Sequence, residues 1–111
     1  MEQINLHTDH NNEPLNHFVQ EIRQSLIENL KHIILFGSRA RGDNCSDSDY
    51  DFLIVVDNVT PCIKETVDEI AGNILYNYNA VVSAFVIGEE KYLHQIYNPL
   101  LINIRREGIS L

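Results

Sequence analysis

The stretch Gly37-Ser38-Arg39-Ala40-Arg41-Gly42-Asp43-Asn44-Cys45-Ser46-Asp47-Ser48-Asp49-Tyr50-Asp51 lies between two short apolar runs, His32 to Phe36 and Phe52 to Val56. Both runs are rich in β-forming residues and read as buried strands, with the polar stretch as the connection they hold. The second strand is the more constraining. Asp49, Asp51, Leu53 and Val55 alternate with Tyr50, Phe52, Ile54 and Val56, so past the aspartates both faces are apolar. A strand of this kind belongs in the middle of a covered sheet.

The connection itself has a definite chemistry. Gly37-Ser38 running straight into Arg39-Ala40-Arg41 suggests a tight turn into a short helix, where backbone N–H groups and a hydroxyl can hold phosphate oxygens. Asp49 and Asp51 are two apart, so strand geometry puts both carboxylates on one face, where their repulsion calls for a counter-ion. Hard oxygen ligands aimed the same way suit a magnesium ion that also takes substrate phosphates. The bland alternative is a polar hairpin connection made of ordinary turn residues. A hairpin, however, has no need of an apolar strand headed by two same-face aspartates. The Gly-Lys-Ser/Thr of a P-loop is absent.

Gly37-Ser38, ten residues and then Asp49-x-Asp51 resembles the signature of the DNA polymerase β-like nucleotidyltransferase superfamily. The Arg39-Ala40-Arg41-Gly42 filling, the Ser48-Asp49-Tyr50-Asp51 ending and the brevity of the chain resemble its minimal nucleotidyltransferases. The resemblance implies a palm-like α/β domain that uses magnesium and binds ATP or another nucleoside triphosphate. On these positions it implies phosphates against Gly37 and Ser38, with Arg39 or Arg41 neutralising their charge, and metal on the catalytic Asp49 and Asp51.

Along the chain, residues 1–12 are polar and without periodicity and read as a loose tail, leaving 13–111 as the domain. Asn11 or Asn12 can cap a helix whose apolar residues Leu15, Phe18, Val19, Ile22, Leu26 and Leu30 have helical spacing, so this helix is expected to run to about Leu30. After the two central strands, Thr60-Pro61 opens a helix with apolar positions from Ile63 through Leu75 to Tyr78, and Asn77-Tyr78-Asn79 ends it. Residues 80–87 form a third strand closed by Gly88, Glu89 to about Ile96 a helix, and Pro99 restarts another up to Gly108. Tyr92, Leu93 and Tyr97 read as packing residues. The order defines an α/β fold with a mixed three-to-four-stranded sheet and flanking helices.

At 111 residues the chain makes one domain with little room for a separate substrate-binding domain. Its net charge of −8 argues against direct nucleic-acid binding and favours a basic partner. No apolar run approaches a membrane span and the polar start is no secretory signal, so a cytoplasmic protein is expected. Cys45 and Cys62 lack metal-ligand spacing and read as reduced thiols.

Active members of the superfamily often carry a third carboxylate on a neighbouring strand, as base towards the attacking hydroxyl. Here the third strand holds no acid, and Ser83 stands where one would be sought. Asp57 lies about 20 Å along the strand from Asp51 at ~3.3 Å per residue. Glu89 and Glu90 follow the third strand, and Asp43 and Asp47 sit in the motif loop. The small size points to a separate acceptor, another protein or a separately encoded helical subunit, and the resemblance implies a helical HEPN-type toxin that this chain modifies with AMP or masks by binding alone.

Overall fold

A computed structural model describes residues 12–41, 49–95 and 97–111. The tail expected over residues 1–12 lies outside them apart from Asn12, as do Asp43, Cys45 and Asp47 of the motif loop. The element order is α1 (Glu13–Ser25), β1 (Leu30–Phe36), α2 (Ser38–Arg41), β2 (Tyr50–Val56), α3 (Pro61–Tyr78), β3 (Val82–Gly88), α4 (Glu89–His94), α5 (Pro99–Glu107) and β4 (Ile109–Ser110).

The strands form one mixed sheet in the order β3-β2-β1-β4. β2 is central, as its two apolar faces require. It pairs antiparallel with β1 and parallel with β3, and α3 supplies the crossover that a parallel pair needs. Among the described residues β4 is a fourth strand, pairing antiparallel with β1 through Leu35 and Ile109.

One face of the sheet is covered by α1 and α3. Phe18 and Ile22 from α1 and Val67 and Ile74 from α3 bury against Phe52, Ile54 and Val56, and the Phe18 and Phe52 rings stack at 4.5 Å. Each such side chain contributes about 1.5–3 kcal/mol of transfer free energy. The opposite face is covered by α5, whose Leu101 and Ile104 pack on Ile34, Leu53 and Val55, with Tyr92 of α4 against them.

Caps explain where the helices start and stop. Asn12 Oδ1 accepts from the Leu15 N–H, and Thr60 Oγ1 from the Ile63 N–H. Asn79, at φ 55°, closes α3 in the left-handed conformation that asparagine tolerates. The helix expected to reach Leu30 stops at Ser25 instead. Leu26 still buries on the helical face, but Asn29 turns the chain: its carbonyl accepts from the Asp57 N–H and its carboxamide donates to the Asp57 carboxylate. Leu30 thereby enters β1 opposite Val56. β3 begins at Val82 rather than at residue 80, and α4 ends at His94.

Three packing expectations are corrected as well. Leu75 points outward from α3, and Leu93 and Tyr97 are exposed, Tyr97 at 85%. The short α4 turns only Tyr92 towards the sheet.

Candidate active site

β1 ends at Phe36, and Gly37 turns the chain with φ +81°, a conformation that glycine adopts at no steric cost. α2 starts at the next residue, and the Ala40 N–H donates to the Gly37 carbonyl. A second reason for glycine lies across the strand pair. A Cβ on Gly37 would stand 2.4 Å from Oδ2 of Asp51 and 3.3 Å from its Cγ, so the turn and the carboxylate are packed directly against each other. Phe36 and Asp51 are register partners, which is what brings the turn to the acid.

Asp49 is exposed and immediately precedes β2, whose first residue Tyr50 donates its N–H to the Val81 carbonyl. The Asp51 carboxyl is pushed above the usual range by burial and, second, by the negative charge of Asp49. A carboxylate disfavoured by burial and by a second carboxylate nearby fits a hard dication shared with phosphate oxygens, the role expected of Asp49 and Asp51. Among the described residues no group of three or more His, Cys, Asp or Glu side chains could enclose a metal by itself.

Arg39 lies with its guanidinium 4.0 Å from the centroid of the Tyr50 ring. Tyr50 belongs to the α1–α3 side of the sheet, so Arg39 is drawn to the opposite side of β2 from Asp51. The Tyr50 hydroxyl donates to Asn12 Oδ1 at 2.7 Å, tying the head of β2 to the cap of α1. Ser38 and Arg41 begin and end α2; their side chains lie outside the described set.

Ser83 is the register partner of Asp51 on the parallel neighbour β3, one strand spacing away on the same face. Glu89 and Glu90 follow Gly88, the partner of Val56, and so lie at the far end of the sheet. Asp57 is at that end too, committed to Asn29 and to the Asn58 N–H. A cavity of about 310 Å³ there, lined by Asp57, Lys64, Glu90 and Lys91 among others, contains none of Gly37, Ser38, Arg39, Arg41, Asp49 and Asp51.

Two features escaped the sequence reading. The Tyr50–Asn12 hydrogen bond joins residues far apart in the chain and leaves no local signal. Phe36 and Phe85 meet across the sheet with ring centroids 6.1 Å apart. The alternation Ser83, Phe85, Ile87 against Val82, Ala84, Val86 could have put Phe85 on the Asp51 face, but only the register brings it opposite Leu53.

A mixed sheet with helices on both faces, carrying a glycine turn and paired acids at one end of its central strand, is the framework of a nucleotidyltransferase. The sequence model of the nucleotidyltransferase domain matches residues 16–107. A protein of Methanocaldococcus jannaschii named "Putative protein adenylyltransferase MJ0604" is 35% identical over 91 residues, covering 82% of this chain and 87% of that protein. Among solved structures, a mutant of the toxin–antitoxin pair MntA–HpeT aligns with a TM-score of 0.58 at 18% identity, over 98% of this chain and 72% of that one. A toxin–antitoxin structure with AMP-PNP aligns with a TM-score of 0.57 at 16% identity, over 84% and 68%. At these identities the structures establish the fold. The chain belongs to the nucleotidyltransferase-domain family and is a minimal form of that domain.

Proposed function

We propose that this chain transfers AMP from ATP, with magnesium, to a hydroxyl of a protein partner in the cytoplasm, and that the partner is a helical HEPN-type toxin for which it is the antitoxin. The observation that carries this is the packing of the Gly37 turn against the Asp51 carboxylate, with Asp49 beside it. A triphosphate resting on the turn has its phosphates next to both acids. Asp49 and Asp51 hold magnesium, which when bound supplies the positive charge that steadies the phosphates and the departing pyrophosphate. Gly37 leaves room for the phosphate and Ser38 adds a hydroxyl; of Arg39 and Arg41, Arg41 is the one to offset phosphate charge, since Arg39 is turned to Tyr50 on the other side of β2.

In the transfer, the acceptor oxygen bonds to the α-phosphorus as the bond to pyrophosphate breaks, and the acceptor proton leaves. Ser83 is no base for that proton, so it passes to solvent or to a group on the partner. The names of the relatives support the adenylyl donor and the protein acceptor, and the toxin–antitoxin neighbours support the partner. The −8 charge suits a basic one.

Ser83 beside Asp51 also favours a second reading, a catalytically silent antitoxin that neutralises by complex formation. Pyrophosphate release with magnesium and ATP, measured with and without the partner, separates the two. Release that needs the partner, adds the mass of AMP to it and vanishes in Asp49→Asn/Asp51→Asn supports transfer. Tight complex formation without release, unchanged in that variant, supports masking.

A further inference from the structure

In an in-line displacement the attacking and leaving oxygens lie on opposite sides of phosphorus. The leaving pyrophosphate belongs with the Gly37 turn, which lies on the β1 side of Asp51. The acceptor therefore approaches from the β3 side. The nucleoside leaves phosphorus off this axis, so only the acceptor is obliged to come that way.

What β3 presents there is Ser83, level with Asp51, and then Phe85, level with Leu53. Phe85 is in the middle of a seven-residue strand, yet it is 48% exposed. α5 packs on Leu53 and Val55, and Phe36 packs against the same cluster, while neither Ser83 nor Phe85 is part of it. The Phe85 ring leans across β2 to meet Phe36, whose own partner is Asp51, at a 41° tilt. The pair makes a flat apolar wall beside the acid, one row further along the face. Two residues of strand separate Phe85 from the level of Asp51, about 6.6 Å at ~3.3 Å per residue, comparable to the reach of a phenol from its Cβ to its hydroxyl.

We infer that Phe85, braced by Phe36, is an acceptor-positioning residue: an apolar, flat part of the acceptor lies on it while the adjoining hydroxyl is held over Asp51 and Ser83. This rests on the transfer reading above and adds to it the surface that selects the acceptor. A small polar acceptor such as a serine side chain leaves the Phe85 ring uncovered and gains nothing from it.

The test compares N-acetyl-tyrosinamide with N-acetyl-serinamide as acceptors, with magnesium and ATP, in wild type, Phe85→Ala and Phe85→Tyr. We expect Phe85→Ala to raise KM for the tyrosinamide about tenfold, the size of one aromatic contact, leaving KM for ATP within about twofold and kcat little changed. Phe85→Tyr restores the tyrosinamide KM. A rise in KM for ATP with none for the acceptor, or no change in either, overturns the inference. If wild type transfers to neither small acceptor, the partner-dependent release above still decides the transfer reading, and binding decides this one. N-acetyl-tyrosinamide titrated with magnesium and a non-hydrolysable ATP analogue should give saturable NMR shifts at Phe36, Ser83 and Phe85 that Phe85→Ala removes. Their absence in wild type overturns it.

Discussion

The two faces of the sheet are built from alternate residues of the same strand and come to different ends. On one, Tyr50, Phe52, Ile54 and Val56 are sealed beneath α1 and α3 from the head of β2 to its last residue. On the other, α5 covers Leu53 and Val55, and the row of Phe36, Asp51 and Ser83 is only half-buried. Buried packing is therefore concentrated on the first face, and the residues proposed for the chemistry stand at the less covered end of the second. The strand can carry both because alternation separates the two tasks by a single residue.

The most severe way to break that division is Phe52→Ala, which empties the centre of the sealed face. It should cost about 3–5 kcal/mol, a large part of the roughly 5–15 kcal/mol that holds a domain of this kind, whereas Phe85→Ala on the open face should cost less than about 1 kcal/mol. Denaturant titration of the two side by side reads the contrast directly; equal losses would mean the open face is core after all.

At the junction of turn and acid, Gly37→Ala must place a Cβ on Asp51 at a positive φ. A loss of about 1–3 kcal/mol with collapse of nucleotide binding is expected, measured by melting with and without magnesium and ATP. Gly72, in the body of α3, meets no atom within 4 Å at the same substitution. Gly72→Ala should stabilise by about 0.5–1 kcal/mol in the same assay.

Asp51→Asn tests the electrostatics of the open face. It removes a charge disfavoured by burial and by Asp49, so the metal-free protein should melt higher at neutral pH, while magnesium raises the melting point of wild type and not of the variant. An unchanged magnesium response would remove Asp51 from the metal site.

The smallest effect belongs to the far end. The Asp57 carboxyl is held below its usual range by the Asn58 N–H and then by Asn29. A lowered folded value means stability that is present above the ordinary carboxylate range and lost as pH falls through and below it. Asn29→Ala should lower the melting point slightly at neutral pH, with the difference from wild type shrinking in acid; a constant difference would point to the turn rather than the charge.

Much of this was legible because it is periodic or local. The two-face pattern of β2 marked it as central, Thr60-Pro61 and Asn79 marked the ends of α3, and the spacing from Gly37 to Asp51 marked the stretch proposed as the site. Where the reading went wrong, local preference lost to partners elsewhere. Residues 26–29 looked helical until Asn29 is seen bonded to Asp57, and Leu93 and Tyr97 looked like core although α4 is too short to bury them.

The sequence by itself determined which residues share a face, since strand alternation and helix spacing follow from backbone geometry alone. It determined the α/β class for the same reason, while Asp49, expected to head the strand, lies just before β2. Which residues from different strands stand level with one another was decided only by the tertiary structure. The contact of Gly37 with Asp51, Ser83 at the side of Asp51 and the meeting of Phe36 with Phe85 all depend on inter-strand register. Register is set by the packing of whole elements against one another, a sum over many distant side chains that no short stretch of the chain records.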